Sequence, residues 1–181
     1  VDFPYQVALF MKQGSTTYYI CGGSVIDADW VLTAAHCLYD EQGHLRTGVS
    51  YSVGAGSNRW RDVPVIIQAA QQIVHPAYDP VAIDNDLALI QLKHSFQFST
   101  TISSLPLATS LPSLGSPVTL SGWGLTQDGG DVVDVLQTVI VPMRDPSDCQ
   151  LTIAELPGKF CAGQANPTED TCQGDSGGAA V

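Results

Sequence analysis

Gly174-Asp175-Ser176-Gly177-Gly178 places a serine between glycines, directly behind Asp170-Thr171-Cys172-Gln173. Glycines on both sides let the chain turn tightly enough for a hydroxyl and backbone N–H groups to face one substrate. Acyl transfer by a serine needs three further things: a base for the hydroxyl proton, a group that orients the base, and donors for the oxyanion. The base must come from His36, His44, His75 or His94. His36 ends Trp30-Val31-Leu32-Thr33-Ala34-Ala35-His36-Cys37, where an apolar strand runs into a small-residue turn pinned by a cysteine. An imidazole there can be fixed in place. The orienting acid is sought in Asp84-Asn85-Asp86-Leu87-Ala88-Leu89-Ile90, directly before an apolar strand. An inward carboxylate at such a place is costly unless paired or hydrogen-bonded. Strand alternation puts Asp84 and Asp86 on one face, so spacing leaves both open. Each stretch alone is a commonplace turn; the three together point to nucleophilic catalysis.

These residues need a rigid frame, and the remaining pattern supplies one. Val7 to Met11, Tyr18 to Ile26 and Trp30 to Leu32 are short apolar or β-branched runs, broken by Gly14-Ser15 and Asp27-Ala28-Asp29. They read as strands of an antiparallel meander. Tyr51 to Val53, Pro64 to Val74 and Leu87 to Leu92 continue it, with turns at Gly54 to Ser57 and His75 to Ala77. Residues 98–116 are uncharged and rich in Ser, Thr and Pro, the character of an ordered linker. Strand signals resume at Pro117 to Ser121 and Val135 to Met143. Asp145-Pro146-Ser147-Asp148 sets a cap before a proline, which predicts a short helix. Many short strands with almost no helix predict an all-β chain of two small barrels, residues 1–104 and 105–181.

Composition narrows the function classes. The 181 residues suffice for a sizeable core. Eighteen acidic against seven basic residues argue against nucleic acid and anionic membranes, which both need basic patches. No apolar run is long enough to span a bilayer. The five cysteines, Cys21, Cys37, Cys149, Cys161 and Cys172, contain no C-x-x-C pair, and there is no H-E-x-x-H string. They read as disulfides of an oxidising, extracellular compartment rather than a metal site. No metal or other cofactor is expected. One cysteine of the five is left over.

Trp30 to Cys37, Asp84 to Ile90 and Asp170 to Gly178 resemble the three signature segments of chymotrypsin/trypsin-type serine proteases. Phe3-Pro4-Tyr5-Gln6-Val7, Cys21-Gly22-Gly23-Ser24, Ile73-Val74-His75-Pro76, Ser121-Gly122-Trp123-Gly124 and Phe160-Cys161-Ala162-Gly163 match as well, in the family's order. The resemblance implies two antiparallel Greek-key β-barrels, the second incomplete. It implies Ser176 as nucleophile, His36 as general base and acid, and Asp86 rather than Asp84 as the orienting acid. The N–H groups of Gly174 and Ser176 would form the oxyanion hole. The order His, Asp, Ser separates the chain from α/β-hydrolases, whose order is Ser, Asp, His.

The same resemblance implies that Asp170 lies at the base of the primary pocket, with Thr171 and Gln173 beside it. A carboxylate there can take a guanidinium bidentately, so the expected substrates are proteins or peptides cut after Arg or Lys. Protein inhibitors are the other expected partners, and the chain is expected to be a monomer. Disulfides Cys21–Cys37 and Cys149–Cys161 are implied, with Cys172 bonded outside this stretch. The chain between Val53 and His75 is shorter than the family's calcium loop and lacks its glutamates, so no calcium site is expected. Asp175 is the residue that pairs with a freed N-terminus in such enzymes. That terminus precedes Val1, and the last strands follow Val181, so the 181 residues are expected to be a fragment, inactive alone, of an active parent. The competing expectation is a non-catalytic homologue that binds partners with the same fold.

Overall fold

The computed structural model describes residues 2–126, 130–152, 158–164 and 173–181. Alternating apolar residues in the first half form six strands: β1 (Gln6–Gln13), β2 (Thr16–Asp27), β3 (Trp30–Thr33), β4 (Val49–Ala55), β5 (Val65–Val74) and β6 (Ala88–Leu92). They close a barrel in the order β1-β2-β3-β6-β5-β4, every pairing antiparallel. Closure leaves no sheet edge and gives the inward residues one shared core. That core holds Val7, Leu9, Val25, Val31, Val53 and Ile90, all fully buried.

β1 is buried on both faces, and this ties the barrel to the rest of the chain. Val7, Leu9 and Met11 face the barrel interior. Ala8 and Phe10 face outward against Trp123, which is fully buried, and Tyr19, Trp60, Val133 and Leu136 pack on the same cluster. Two indole N–H groups lock the arrangement: Trp123 donates to the Asn58 carbonyl at 2.9 Å and Trp60 to the Val133 carbonyl at 3.0 Å.

The second half contributes β7 (Pro117–Gly122), β8 (Gln137–Arg144) and β9 (Cys161–Ala162), an antiparallel three-stranded sheet. A closed six-stranded barrel followed by a partial second sheet agrees with the expected two-barrel, all-β architecture. Residues 98–116 carry no strand or helix; the stretch begins against the first barrel and ends beside β8, where Gly115 N–H donates to the Met143 carbonyl. Ile102 is buried in the barrel core, and Ser103 N–H donates to the Pro4 carbonyl and Leu105 N–H to the Val25 carbonyl.

The short helix after Asp145 is a one-turn 3₁₀ helix, Pro146–Cys149, with the Asp145 carboxylate accepting from the Ser147 N–H at 2.9 Å. Two further one-turn helices, Ala35–Leu38 and Trp60–Asp62, carry no sequence signal beyond their place between strands. The turn expected at Gly54 to Ser57 begins later, because β4 runs on through Ala55. Gly54 serves packing instead of turning: a Cβ there would stand 2.7 Å from both Phe10 and Val63 side-chain atoms.

Both expected bridges are formed, Cys21–Cys37 and Cys149–Cys161. Cys172 lies outside the described residues. The first bridge closes 16 residues. Replacing both Cys21 and Cys37 by alanine is expected to cost about 3 kcal/mol through the entropy of the opened loop, read as a lower denaturant midpoint. An unchanged midpoint would show that the barrel alone holds this loop.

Candidate active site

His36 sits in the one-turn helix that follows β3, where the chain leaves the barrel. Cys37, its neighbour, is bonded to Cys21 of β2. Thr33, at the end of β3, donates its hydroxyl to the Gly22 carbonyl at 2.9 Å. The imidazole therefore stands on backbone held from both sides.

Asp86 grips His36 twice. Its Oδ1 accepts the His36 backbone N–H at 2.8 Å, and its Oδ2 lies 2.7 Å from Nδ1. Burial by itself would raise this carboxyl, but the two hydrogen bonds and the charge of His36, with the Ala35 N–H, together outweigh it and hold Asp86 below the ordinary carboxylate value. A lowered folded value means that the ionised form stabilises the fold above the unfolded pKa and that this stability is lost as pH falls through the folded value. The His36 side chain is 39% exposed, against 22% for Asp86.

Asp84 is elsewhere. Its backbone bridges Asp79 in both directions, and its carboxylate lies 3.9 Å from Lys159 Nζ. The shared strand face expected for Asp84 and Asp86 does not exist, because β6 starts only at Ala88. Ile83 and Asn85 have φ near +50°, at 51° and 53°, so the segment is a turn. That turn carries Asp86 to His36 while Asp84 stays in the loop.

Ser176 comes to the same place by its backbone. Its carbonyl accepts from Gly22 N–H at 2.9 Å, the residue whose own carbonyl receives Thr33. Gly177, at φ +84°, lies so close to Thr33 Oγ1, the Gly22 carbonyl and Ala34 N that no Cβ fits. The serine turn is thus seated on the two segments that flank His36, Gly22 beside Cys21 and Thr33-Ala34 before it.

Four successive carbonyls of this turn have a donor. Leu125 N–H donates to Gln173, Gly178 N–H to Asp175 and Gly22 N–H to Ser176, while the Tyr19 hydroxyl donates to Gly174 at 2.6 Å. The C=O and N–H of a trans peptide point in opposite directions, and no peptide among the described residues is cis. Holding the Gln173 and Asp175 carbonyls therefore also aims the N–H groups of Gly174 and Ser176.

The Asp175 carboxylate lies against Gly122 and Gly124, accepting from Gly124 N–H at 2.7 Å. Both glycines are needed for space: a Cβ on Gly124 would lie 2.6 Å from Asp175 Cγ. Gly124→Ala is expected to destabilise the protein by about 2 kcal/mol through overpacking and to shift the serine turn with Asp175. Chemical denaturation checks this, and a wild-type midpoint would rule the crowding out.

Asp170 and Thr171 lie outside the described residues; Gln173 is exposed at the head of the turn. Cys21, His36 and Cys37 bring three metal-type ligand atoms within 4.8 Å, but the two sulfurs share a disulfide and have no thiolate to offer. Tyr19, Gly22, Thr33 and Gly124 were not singled out by spacing or residue type. Their contacts join segments far apart in the chain, which local patterns do not encode.

The trypsin family model matches residues 1–181. Serine protease 1 of Canis lupus familiaris is 37% identical over 185 residues, covering 98% of this chain and 69% of that protein. Serine protease 1 of Homo sapiens is 36% identical over the same coverage. Trypsin V-A of Rattus norvegicus is 37% identical over 182 residues, again 98% of this chain and 69% of that protein.

Proposed function

The chain belongs to the trypsin family, whose members support a serine protease function for it, and from that premise we propose a secreted endopeptidase that hydrolyses peptide bonds after Arg or Lys. The observation that carries this reading is the two-point grip of Asp86 on His36. With a carboxylate on Nδ1, the imidazole keeps its proton there and presents Nε2 as a base.

In the proposed cycle His36 Nε2 takes the Ser176 hydroxyl proton as Oγ attacks the substrate carbonyl carbon. The C–O π electrons move onto the carbonyl oxygen, which the N–H groups of Gly174 and Ser176 receive. His36 then hands its proton to the leaving amine as the peptide C–N bond breaks and the acyl-enzyme remains. Water repeats the sequence, with His36 again base and then acid, and the acid product leaves. Asp86 stays ionised throughout and stabilises the imidazolium. Asp170 is the proposed floor of the pocket for Arg or Lys, flanked by Thr171 and Gln173. Asp175 is the proposed partner of a freed N-terminus in an activated enzyme. Residues 1–104 and 105–181 are the proposed structural units, the first carrying His36 and Asp86, the second Ser176. The two disulfides support an extracellular setting, and protein inhibitors and a monomeric state complete the reading.

A fluorophosphonate probe on the full-length protein tests the chemistry, since stoichiometric labelling requires an activated Ser176. Parallel Arg-, Lys- and Phe-anilide substrates test the specificity. Absence of labelling in the activated protein would sink the catalytic reading in favour of a non-catalytic homologue. Labelling with a preference for Phe would sink only the assignment of Asp170.

A further inference from the structure

Of the four pinned carbonyls in the serine turn, three receive backbone N–H groups, which no side-chain change removes. The fourth, on Gly174, receives a side chain from 155 residues away, the hydroxyl of Tyr19, at 2.6 Å. It governs the 174–175 peptide, the single peptide between the two N–H groups proposed as oxyanion donors. Gly174 has φ +97° and no Cβ, so local sterics restrain this peptide little. A hydrogen bond must do it.

The surroundings suit that task. A β-bulge between Leu9 and Phe10 of β1 pairs Phe10 with Tyr19 while Leu9 pairs with Cys21. Cys21 faces the barrel core, and Tyr19 is turned outward to the second cluster. There its ring lies 5.2 Å from Trp60, 6.2 Å from Trp123 and 6.4 Å from Phe10, centroid to centroid. Three aromatic neighbours leave the phenol one orientation. Burial, and then the Asp175 charge, push its pKa well above the ordinary tyrosine range, so the hydroxyl keeps its proton and remains a donor. The Gly174 carbonyl has no proton to give, so the direction of the bond is unambiguous. A Cβ on Gly174 would stand 3.0 Å from Gly124 Cα and 3.2 Å from Val132 Cγ1, so the seat has little room for a side chain.

We propose that Tyr19 is a positioning residue for the reaction: by holding the Gly174 carbonyl it fixes the spacing and angle of the two oxyanion donors, Gly174 N–H and Ser176 N–H. It touches no substrate and acts through the peptide it holds. The assignment rests on the protease reading, so its test must separate the two.

Tyr19→Phe in the activated full-length protein keeps the ring and removes the hydroxyl. The expected result is a kcat lower by roughly tenfold, less than the loss of a whole oxyanion donor, with KM within about twofold. The affinity of a peptidyl boronic acid, which mimics the tetrahedral adduct, is expected to weaken by the same factor as kcat/KM. Val63→Ala serves as the packing control, loosening the same cluster from a position that is not among the aromatic neighbours of Tyr19 and leaves the hydroxyl untouched. It is expected to lower Tm and leave kcat and boronate affinity unchanged. Wild-type kcat and boronate affinity in Tyr19→Phe would overturn the proposal, as would an equal loss in Val63→Ala. Hydrogen exchange of the Gly174, Asp175 and Ser176 amides supplies a readout independent of turnover. Faster exchange in Tyr19→Phe, and wild-type exchange in Val63→Ala, is expected even if the wild-type protein fails to label. Unchanged exchange in Tyr19→Phe overturns the positioning role whatever the activity.

Discussion

Ser176→Ala in the activated full-length protein is expected to lower kcat by roughly 10⁶-fold while leaving Tm close to wild type. The size follows from the chemistry: without Oγ there is no acyl-enzyme, and the Asp86–His36 pair has no hydroxyl to activate. The stability expectation follows from the contacts. Ser176 is held through its carbonyl by Gly22 N–H, which alanine preserves. A residual rate of about 10³-fold over uncatalysed hydrolysis is expected to survive, because backbone donors remain in place. Single-turnover hydrolysis of a peptide anilide, with thermal melting alongside, measures both. Turnover within tenfold of wild type would mean that another residue is the nucleophile.

Asp86→Asn is expected to cost roughly 10⁴-fold in kcat, and the geometry says why a neutral isostere fails. The carboxylate accepts two bonds, from the His36 backbone N–H at 2.8 Å and at Nδ1 across 2.7 Å. The backbone N–H can only donate, so it claims the single oxygen of asparagine. The amide NH₂ then faces Nδ1, which must accept. The imidazole proton is driven to Nε2, the nitrogen proposed to take the serine proton. Acid stability provides a second readout. Asp86 is held below its ordinary value of 3.8, so its contribution is present above that pH and fades as pH falls through the lower folded value. Asp86→Asn should therefore lose stability at neutral pH and flatten the stability curve below pH 3.8. A variant with near-normal kcat would remove Asp86 from the mechanism; a curve of unchanged steepness would remove only the linkage.

Strand positions were largely legible in the sequence. The runs Val7 to Met11, Tyr18 to Ile26 and Trp30 to Leu32 fall inside β1, β2 and β3, because apolar alternation and turn residues are local properties. So was the capped turn at Asp145, a contact two residues long. Gly54 departs from the turn expectation for a physical reason: glycine marks a turn by its backbone freedom, but here its small size makes room for Phe10 and Val63. The two short helices outside the Asp145 motif have no sequence signal, since one turn carries no periodicity.

The sequence by itself determined which residue types were available for acyl transfer, the barrel-forming strands, and a family resemblance that paired four of the five cysteines. The tertiary structure decided which groups meet. It gives the physical reason for the acid that the resemblance prefers and spacing leaves open: the turn through Ile83 and Asn85 carries Asp86 across 50 residues of chain to His36 and leaves Asp84 beside Asp79. It also decides the face of Tyr19, which strand alternation would have put with Cys21 inside the barrel. One extra residue in the β1–β2 ladder reverses that face and brings a hydroxyl to Gly174. Periodicity is written in neighbours, but register and barrel closure are settled only when distant strands pair.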